Sequence, residues 1–266
     1  MEGFRTWSVG LDGGVVTASL PEPLRFPSGP LPEWMGRCAS AIRDALRELP
    51  IADGTLLEAT LAGAPPGVAD LGDALLYNVR IPEAQVHGGV RLRRAATAGP
   101  GVIQSYRRVP VAAAAEDEDE AMLAALQVPL KGVFELDTAR LVWLAVRRVV
   151  VGALPAGSAR PPGGIELRAR LVAESEREPV TTELIERLLD GIRASLQVYA
   201  GADLEATARR LAAELKADPA EMSTLLSSPR GAVLADGEHF AAVEVIVTAG
   251  ARAHLDVELQ TVTPDA

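Results

Sequence analysis

Apolar and polar residues alternate over 5–11 and again over 14–20, on either side of Asp12-Gly13-Gly14. Alternation places one side chain in two on a buried face, and glycine accepts the positive φ of a tight turn, so the pattern predicts a β-hairpin. Prolines at 21, 23, 27, 30 and 32 then bar regular structure until a helix begins near Pro32. Trp34, Met35, Cys38, Ile42, Ala45, Leu46 and Leu49 fall at spacings of three and four, one face of that helix, which stops before Pro50. Residues 55–61 read as a strand and 70–79 as a short helix or buried segment. Residues 90–94 and 102–109 read as partner strands flanking Ala98-Gly99-Pro100-Gly101.

The second half reads in a similar order. Residues 140–153 form a β-branched run containing Trp143, which predicts a buried strand. In 165–173, Ile165, Leu167, Ala169 and Leu171 alternate with Glu166, Arg168 and Arg170. A helix follows over 180–199, with Thr182 as N-cap and Leu184, Ile185, Leu188, Leu189, Ile192, Leu196 and Tyr199 as its apolar stripe. Asp203 can cap a further helix carrying Leu204, Leu211 and Leu215. In Asp218-Pro219-Ala220-Glu221 a capping residue precedes proline at the first helical position, and a glutamate is placed to reach back. Residues 231–235 and 240–248 flank Asp236-Gly237 as a second hairpin, and 253–262 is a final alternating strand. The expected class is α+β, with antiparallel sheets and helices packed on one face. No residue identity between the halves marks a repeat, so two similar lobes and one continuous core both remain open.

Charge refines this division. The chain of 266 residues holds 26 basic and 36 acidic side chains, a formal charge of −10. Residues 1–110 are neutral, while 111–136 and 137–266 each carry −5. That arithmetic suggests an N-terminal α+β lobe (1–110), an acidic helix or linker (111–136) and a C-terminal α+β lobe (137–266). Within the middle part, Glu116-Asp117-Glu118-Asp119-Glu120 reads as a helix start, favoured by the helix dipole, with Met122, Leu123 and Leu126 as its apolar face. The competing reading is a docking tail for a basic partner. An apolar fraction of 48% excludes wholesale disorder. No apolar run approaches the ~18 residues that span a bilayer, and Met1-Glu2-Gly3-Phe4-Arg5-Thr6-Trp7 lacks the pattern of a signal peptide. One cysteine and three histidines exclude an internal disulfide, a cysteine-based zinc site and a histidine-rich metal centre. The expectation is a soluble cytoplasmic protein with no membrane association and no cofactor.

Candidate chemistry is sparse. Cys38 sits on an apolar helix stripe without a local histidine, the setting of an inert structural thiol. His254, Asp256 and Glu258 share one strand face, but spacing of two residues spreads them over roughly 13 Å. No phosphate-cradling loop or nucleophile elbow occurs. Asp70 and Asp73 precede an apolar segment in Pro65-Pro66-Gly67-Val68-Ala69-Asp70-Leu71-Gly72-Asp73. Three residues apart at a helix start, they can face one Mg²⁺, or Asp70 can cap the helix. The Asp-rich turn loosely resembles that of the RusA-type Holliday-junction resolvases over these few residues, without that family's close carboxylate grouping. The basic stretch 80–108 holds six arginines against Glu83. Arg91, Arg93, Arg94, Arg107 and Arg108, with Tyr106, are the candidate binding residues, since guanidinium groups on one sheet face bind phosphates or an acidic surface. Intramolecular pairing is the competing reading.

The first expectation is therefore an interaction protein without enzymatic activity, acting on another protein or on itself. A Mg²⁺-dependent nuclease or phosphoryl-transfer enzyme using Asp70 and Asp73 is one alternative. A non-catalytic nucleic-acid binder using the arginines of 91–108 is the other.

Overall fold

The computed structural model describes residues 6–24, 32–64, 70–96, 101–111, 122–130, 138–155, 164–173, 180–197, 199, 201–234, 240–250 and 252–261. Among these described residues nine strands form one mixed sheet, mostly antiparallel, and the α+β class holds. The strands are β1 (Ser8–Asp12), β2 (Val15–Leu20), β3 (Thr55–Ala62), β4 (Gly89–Ala95), β5 (Val102–Pro110), β6 (Met122–Pro129), β7 (Ile165–Ala173), β8 (Ala242–Ala249) and β9 (His254–Thr261). Their order is β1-β2-β5-β3-β4-β8-β7-β9-β6. The helices are α1 (Glu33–Arg47), α2 (Glu83–Val86), α3 (Ala139–Ala153), α4 (Thr182–Ser195), α5 (Leu204–Leu215) and α6 (Pro219–Ser227), with a π-helical turn at Asp73–Tyr77. None is long and apolar enough to cross a membrane.

The chain runs the same course twice. β2, α1, β3, a crossover, β4 and β5 give the spatial order β2-β5-β3-β4; β6, α3, β7, a crossover, β8 and β9 give β6-β9-β7-β8. Both crossovers join parallel strands, β3 to β4 and β7 to β8, which require a long connection over the sheet. The halves meet where β4 and β8 pair antiparallel, so an approximate two-fold axis passes through Arg91↔Glu244. Under that axis Leu57, Ala59 and Leu61 of β3 correspond to Leu167, Ala169 and Leu171 of β7. These side chains face the core, where small and large residues must interdigitate at crystal-like density. The correspondence is thus confined to alternate positions, and the residues between them, on the opposite face, differ: Glu58 and Thr60 against Arg168 and Arg170.

The core face takes Val16, Ala18 and Leu20 from β2, Val90 and Leu92 from β4, and Leu255, Val257 and Leu259 from β9. Against it lie Met35, Cys38, Ile42 and Leu46 of α1, then Val142, Val146 and Val150 of α3, then Ile185, Leu188 and Ile192 of α4. Gly191 lets α4 approach α3, since a Cβ there would come within 2.4 Å of Val142 Cβ.

The opposite face carries a row of charge that crosses six neighbouring strands: Arg107, Glu58, Arg91, Glu244, Arg168, Glu258. Signs alternate without exception, and the two-fold axis exchanges them, Arg91 for Glu244, Glu58 for Arg168, Arg107 for Glu258. Arg91 Nε donates to Glu244 Oε2 at 2.6 Å, Arg91 Nη1 lies 3.6 Å from Glu58 Oε2, and Arg107 Nε donates to Glu58 Oε1 at 2.7 Å. Arg91, Glu58 and Glu244 are all buried. Like charges directly opposite on a sheet destabilise it. The row therefore matches the first half to the second and not to itself.

Several sequence expectations are corrected. Residues 140–153 are helix α3, not a strand: Thr138 Oγ1 accepts the Leu141 N–H at 3.2 Å, and Val142, Val146 and Val150 recur at the helical spacing of four, which overrides the strand propensity of the β-branched residues. The helix expected through Met122, Leu123 and Leu126 is strand β6 over 122–129, because Ala124, Leu126 and Val128 alternate inward beside β9; residues 116–120 lie outside the described residues. Residues 231–234 form no hairpin strand. The Val233 and Leu234 N–H groups donate to Leu196 O, while β8 pairs with β4 and β7. The cap of α4 is Thr181, whose Oγ1 accepts from Leu184 N at 3.1 Å, while the Thr182 hydroxyl donates to Ile81 O. Glu221 does not reach back along α6; both its oxygens accept from Arg148, at 2.7 and 3.0 Å.

Two outcomes follow. Arg91→Leu strands the buried Glu244 carboxylate and leaves Glu58 to Arg107 alone, and should cost about 3–5 kcal/mol, read from urea unfolding; the double substitution Arg91→Leu with Glu244→Leu should recover at least half of that. Cys38 is fully buried and desolvation pushes its thiol up to about 11. Maleimide should therefore label it only at the rate of global opening, at least a hundredfold slower than in the urea-unfolded chain, a ratio on the order of that set by a few kcal/mol of stability.

Candidate functional site

The two crossovers are the place where the halves part company. Among the described residues the first contains the π-helical turn and α2, and the second contains α4, α5 and α6. Each of the three longer helices starts on its own cap: Thr181 as above, Asp203 accepting the Ala206 N–H at 3.0 Å, and Asp218 accepting that of Ala220 at 3.1 Å. Helix α3 is apolar on two sides. Val142, Val146 and Val150 face the sheet, while Trp143 and Leu144 join Ala208, Ala212, Met222, Leu225 and Leu226 in a second, smaller core.

Arg147 ties this second core together. It is 1% exposed, and its Nε donates to Leu225 O at 3.0 Å while Nη1 donates to Ser195 O at 2.8 Å and Arg230 O at 3.0 Å. Nη2 donates to Ser228 O. These carbonyls sit at the ends of α4 and α6, where the helix dipole is negative, so two helix termini compensate the charge in place of a carboxylate. Burial alone pulls the pKa of this guanidinium down, and arginine stays charged regardless.

Helices α3 to α6 do not close over the second core. They leave a groove of about 690 Å³ lined by Trp143, Tyr199, Leu211, Leu225 and Leu226, with Arg140 and Asp190 toward its rim. The Tyr199 hydroxyl pairs with Thr207 Oγ1 at 2.8 Å, and its ring lies against Gly201, where a Cβ would come within 2.1 Å of Tyr199 Oη. Only glycine admits the ring at that distance.

A second cavity, of about 250 Å³, lies where the π-helical turn of the first half meets α4 of the second. Asp70, Asp73 and Tyr77 line it from one side, and Glu186, Asp190 and Arg193 from the other. Asp70 Oδ1 accepts the Asp73 N–H at 3.0 Å, the capping bond, while its Oδ2 accepts from Arg193 Nη1 at 3.2 Å. Capping and facing a cleft were expected to exclude one another; Asp70 does both, one oxygen to each. Arg193 Nη2 donates in turn to Asp190 Oδ1 at 3.1 Å. Burial pushes the Glu186 carboxyl up to about 7, with Asp190, Asp73 and Glu183 adding repulsion. Among the described residues no three histidine, cysteine or acidic side chains are grouped to hold a metal ion.

The expected arginine patch is dispersed. β4 and β5 are not partners; both pair with β3, from opposite sides. Arg91 is buried in the charge row, Arg93 shares its face, and Arg107 lies on Glu58. Arg94 falls in register with Leu61 on the helix side, near Asp70. Tyr106 is fully buried, its hydroxyl donating to Leu75 O at 3.3 Å, and desolvation raises its pKa far above the usual phenol value. Arg108 spends its donors on Thr55 Oγ1 at 3.0 Å, Thr55 O at 2.6 Å, and the carbonyls of Gln85 and His87. Strand alternation explains the split, since Arg107 and Arg108 must point to opposite faces. His254 and Asp256 meet at 3.4 Å, whereas Glu258 joins the charge row opposite Arg168.

The groove and Glu186 escaped the sequence reading. The available signal was α3 itself, since a helix apolar on more than one face must bury two of them.

Comparison with protein-family models finds none that matches the chain, and comparison with curated proteins finds no match either.

The carboxyl of Glu186 gives a pH-dependent outcome. Its folded pKa lies above the ordinary value near 4.5, so the folded chain holds the proton more tightly. The resulting stabilisation is complete below about pH 4.5 and is lost as pH rises through about 7. After solvent screening at this half-buried position the loss should be about 1–2 kcal/mol. Glu186→Gln should remove that slope and be the more stable form at pH 8, as measured by urea unfolding across the range.

Proposed function

We propose that the chain is an interaction protein without enzymatic activity, working in the cytoplasm, that takes a short segment of a partner protein into the groove along α3 to α6. One observation carries this reading: an aromatic- and leucine-lined groove lies between α3 and the helices of the second crossover, of which α5 and α6 have no counterpart among the described residues of the first half. A fold built twice needs each shared element for its own stability. What was added to one half alone, and then left open, is the natural seat of a specific activity. Aromatic side chains in a concave apolar site supply most of the energy of recognition, and the volume matches sites that accept a few side chains or a small ligand.

The competing readings have less support. For Mg²⁺ chemistry both Asp70 oxygens would have to abandon the Asp73 N–H and Arg193. For nucleic-acid binding through 91–108, Arg91 would have to leave two buried carboxylates.

A photo-crosslinking residue in place of Leu211 tests the proposal in cells. A single discrete adduct is expected from position 211, none from the exposed Thr17 on β2 in the first half of the sheet, and loss of the adduct when Thr207→Arg fills the groove of a folded chain. Absence of any adduct at 211 would falsify the reading.

A further inference from the structure

Resting on the groove reading, we infer that the partner segment carries a lysine or arginine beside its apolar anchor, the anchor lying on Trp143 and Leu211 and the cation entering the acidic cleft next door. The two cavities meet at Asp190 and Arg193, which line both. The cleft presents four carboxylates, Asp70, Asp73, Glu186 and Asp190, against the single arginine. The charge of that arginine is already divided between Asp70 and Asp190.

Glu186 is where a cation would gain most. Asp73 and Tyr77 face it from the π-helical turn, with Asp70 just before that turn, and Glu183, Asp190 and Arg193 lie on its own helix. Arg187 is drawn off to Glu183. Phe240 and Val243 complete the wall and bring no charge. Among the described residues Glu186 makes no hydrogen bond or ion pair. A guanidinium or ammonium placed there would replace repulsion among neighbouring carboxylates with attraction, in a site already half withdrawn from water. The overall charge of −10 steers basic partners toward the chain and acidic ones away.

A proton and a cation compete for the Glu186 carboxylate. Affinity should therefore rise from about pH 6 to about pH 8, and fall with added salt.

The test is selection of a random dodecapeptide phage library on the whole chain, keeping clones that Thr207→Arg abolishes. The expected consensus pairs leucine or aromatic residues with lysine or arginine. Synthetic peptides from it should bind Glu186→Gln and Asp190→Asn about tenfold more weakly than the parent, a loss on the order of one charge-assisted contact, and Glu186→Gln should abolish the pH dependence. Either variant serves alone if the other fails to fold. A neutral or acidic consensus, or peptides indifferent to both substitutions, would overturn the assignment of the cation while leaving the groove in use. Failure to recover any clone that depends on the groove would overturn the groove reading, and this inference with it.

Discussion

Arg91 and Glu244 stand where β4 and β8 meet, the one strand pair that joins the two halves of the sheet. Each half has its own parallel pair, its own crossover and its own long helix against the core face; the Asp70–Arg193 and Thr182–Ile81 bonds also cross between halves, but through side chains. Only this junction makes nine strands out of two smaller sets, and only across it can the π-helical turn and α4 be brought together. A buried ion pair contributes little net stability compared with apolar residues of the same volume, because desolvation offsets the attraction. Its value lies in selection. With signs inverted across the axis, two first halves would set Arg91 against Arg91, and a one-residue slip of β4 against β8 would turn the arginine into the core.

The helices with a clear three-and-four spacing were legible in the sequence, and so were most of the strands. Ile42, Leu46, Leu188 and Ile192 are all fully buried, as their periodicity demands. The failures have two physical sources. Where β-branched residues crowd a helix that is apolar on more than one face, as in 140–153, strand propensity masks the helical period, and the Thr138 cap is the deciding feature. Where alanine fills the gaps, as in 122–129, helical and alternating patterns coexist, and the neighbouring strand decides. The internal symmetry was hidden for a related reason: it survives as Leu-x-Ala-x-Leu on one face of β3 and β7, and both intervening positions have changed, Glu58 to the opposite charge at Arg168 and Thr60 to Arg170.

The site was less legible than the fold. Asp70 drew attention as a capping carboxylate, yet its partner Arg193 lies 123 residues away. Trp143 and Leu211 belong to different helices, α3 and α5, far apart in sequence, and Arg147, which holds α3 to the ends of α4 and α6, is a residue that nothing in its own neighbourhood of sequence marks as structural. Long-range electrostatics and the edges of packed helices produce cavities, and neither has a local signature. The arginines of 91–108 illustrate the reverse error. A dense local signal was real, but strand alternation and distant glutamates dispersed it.

The Arg91–Glu244 contact joins residues 153 positions apart, and this has a consequence for synthesis. While the ribosome is still making the second half, the nascent first half displays β4 as a bare edge, with backbone donors and acceptors open to any other strand. Arg91 then has Glu58 but not yet Glu244, leaving excess positive charge along that edge. Charge on an unpaired strand discourages pairing with strangers, so the same side chain that later locks the finished sheet protects it while it waits. Substitutions at this position would thus lower the yield of folded protein in the cell by more than their effect on the purified chain.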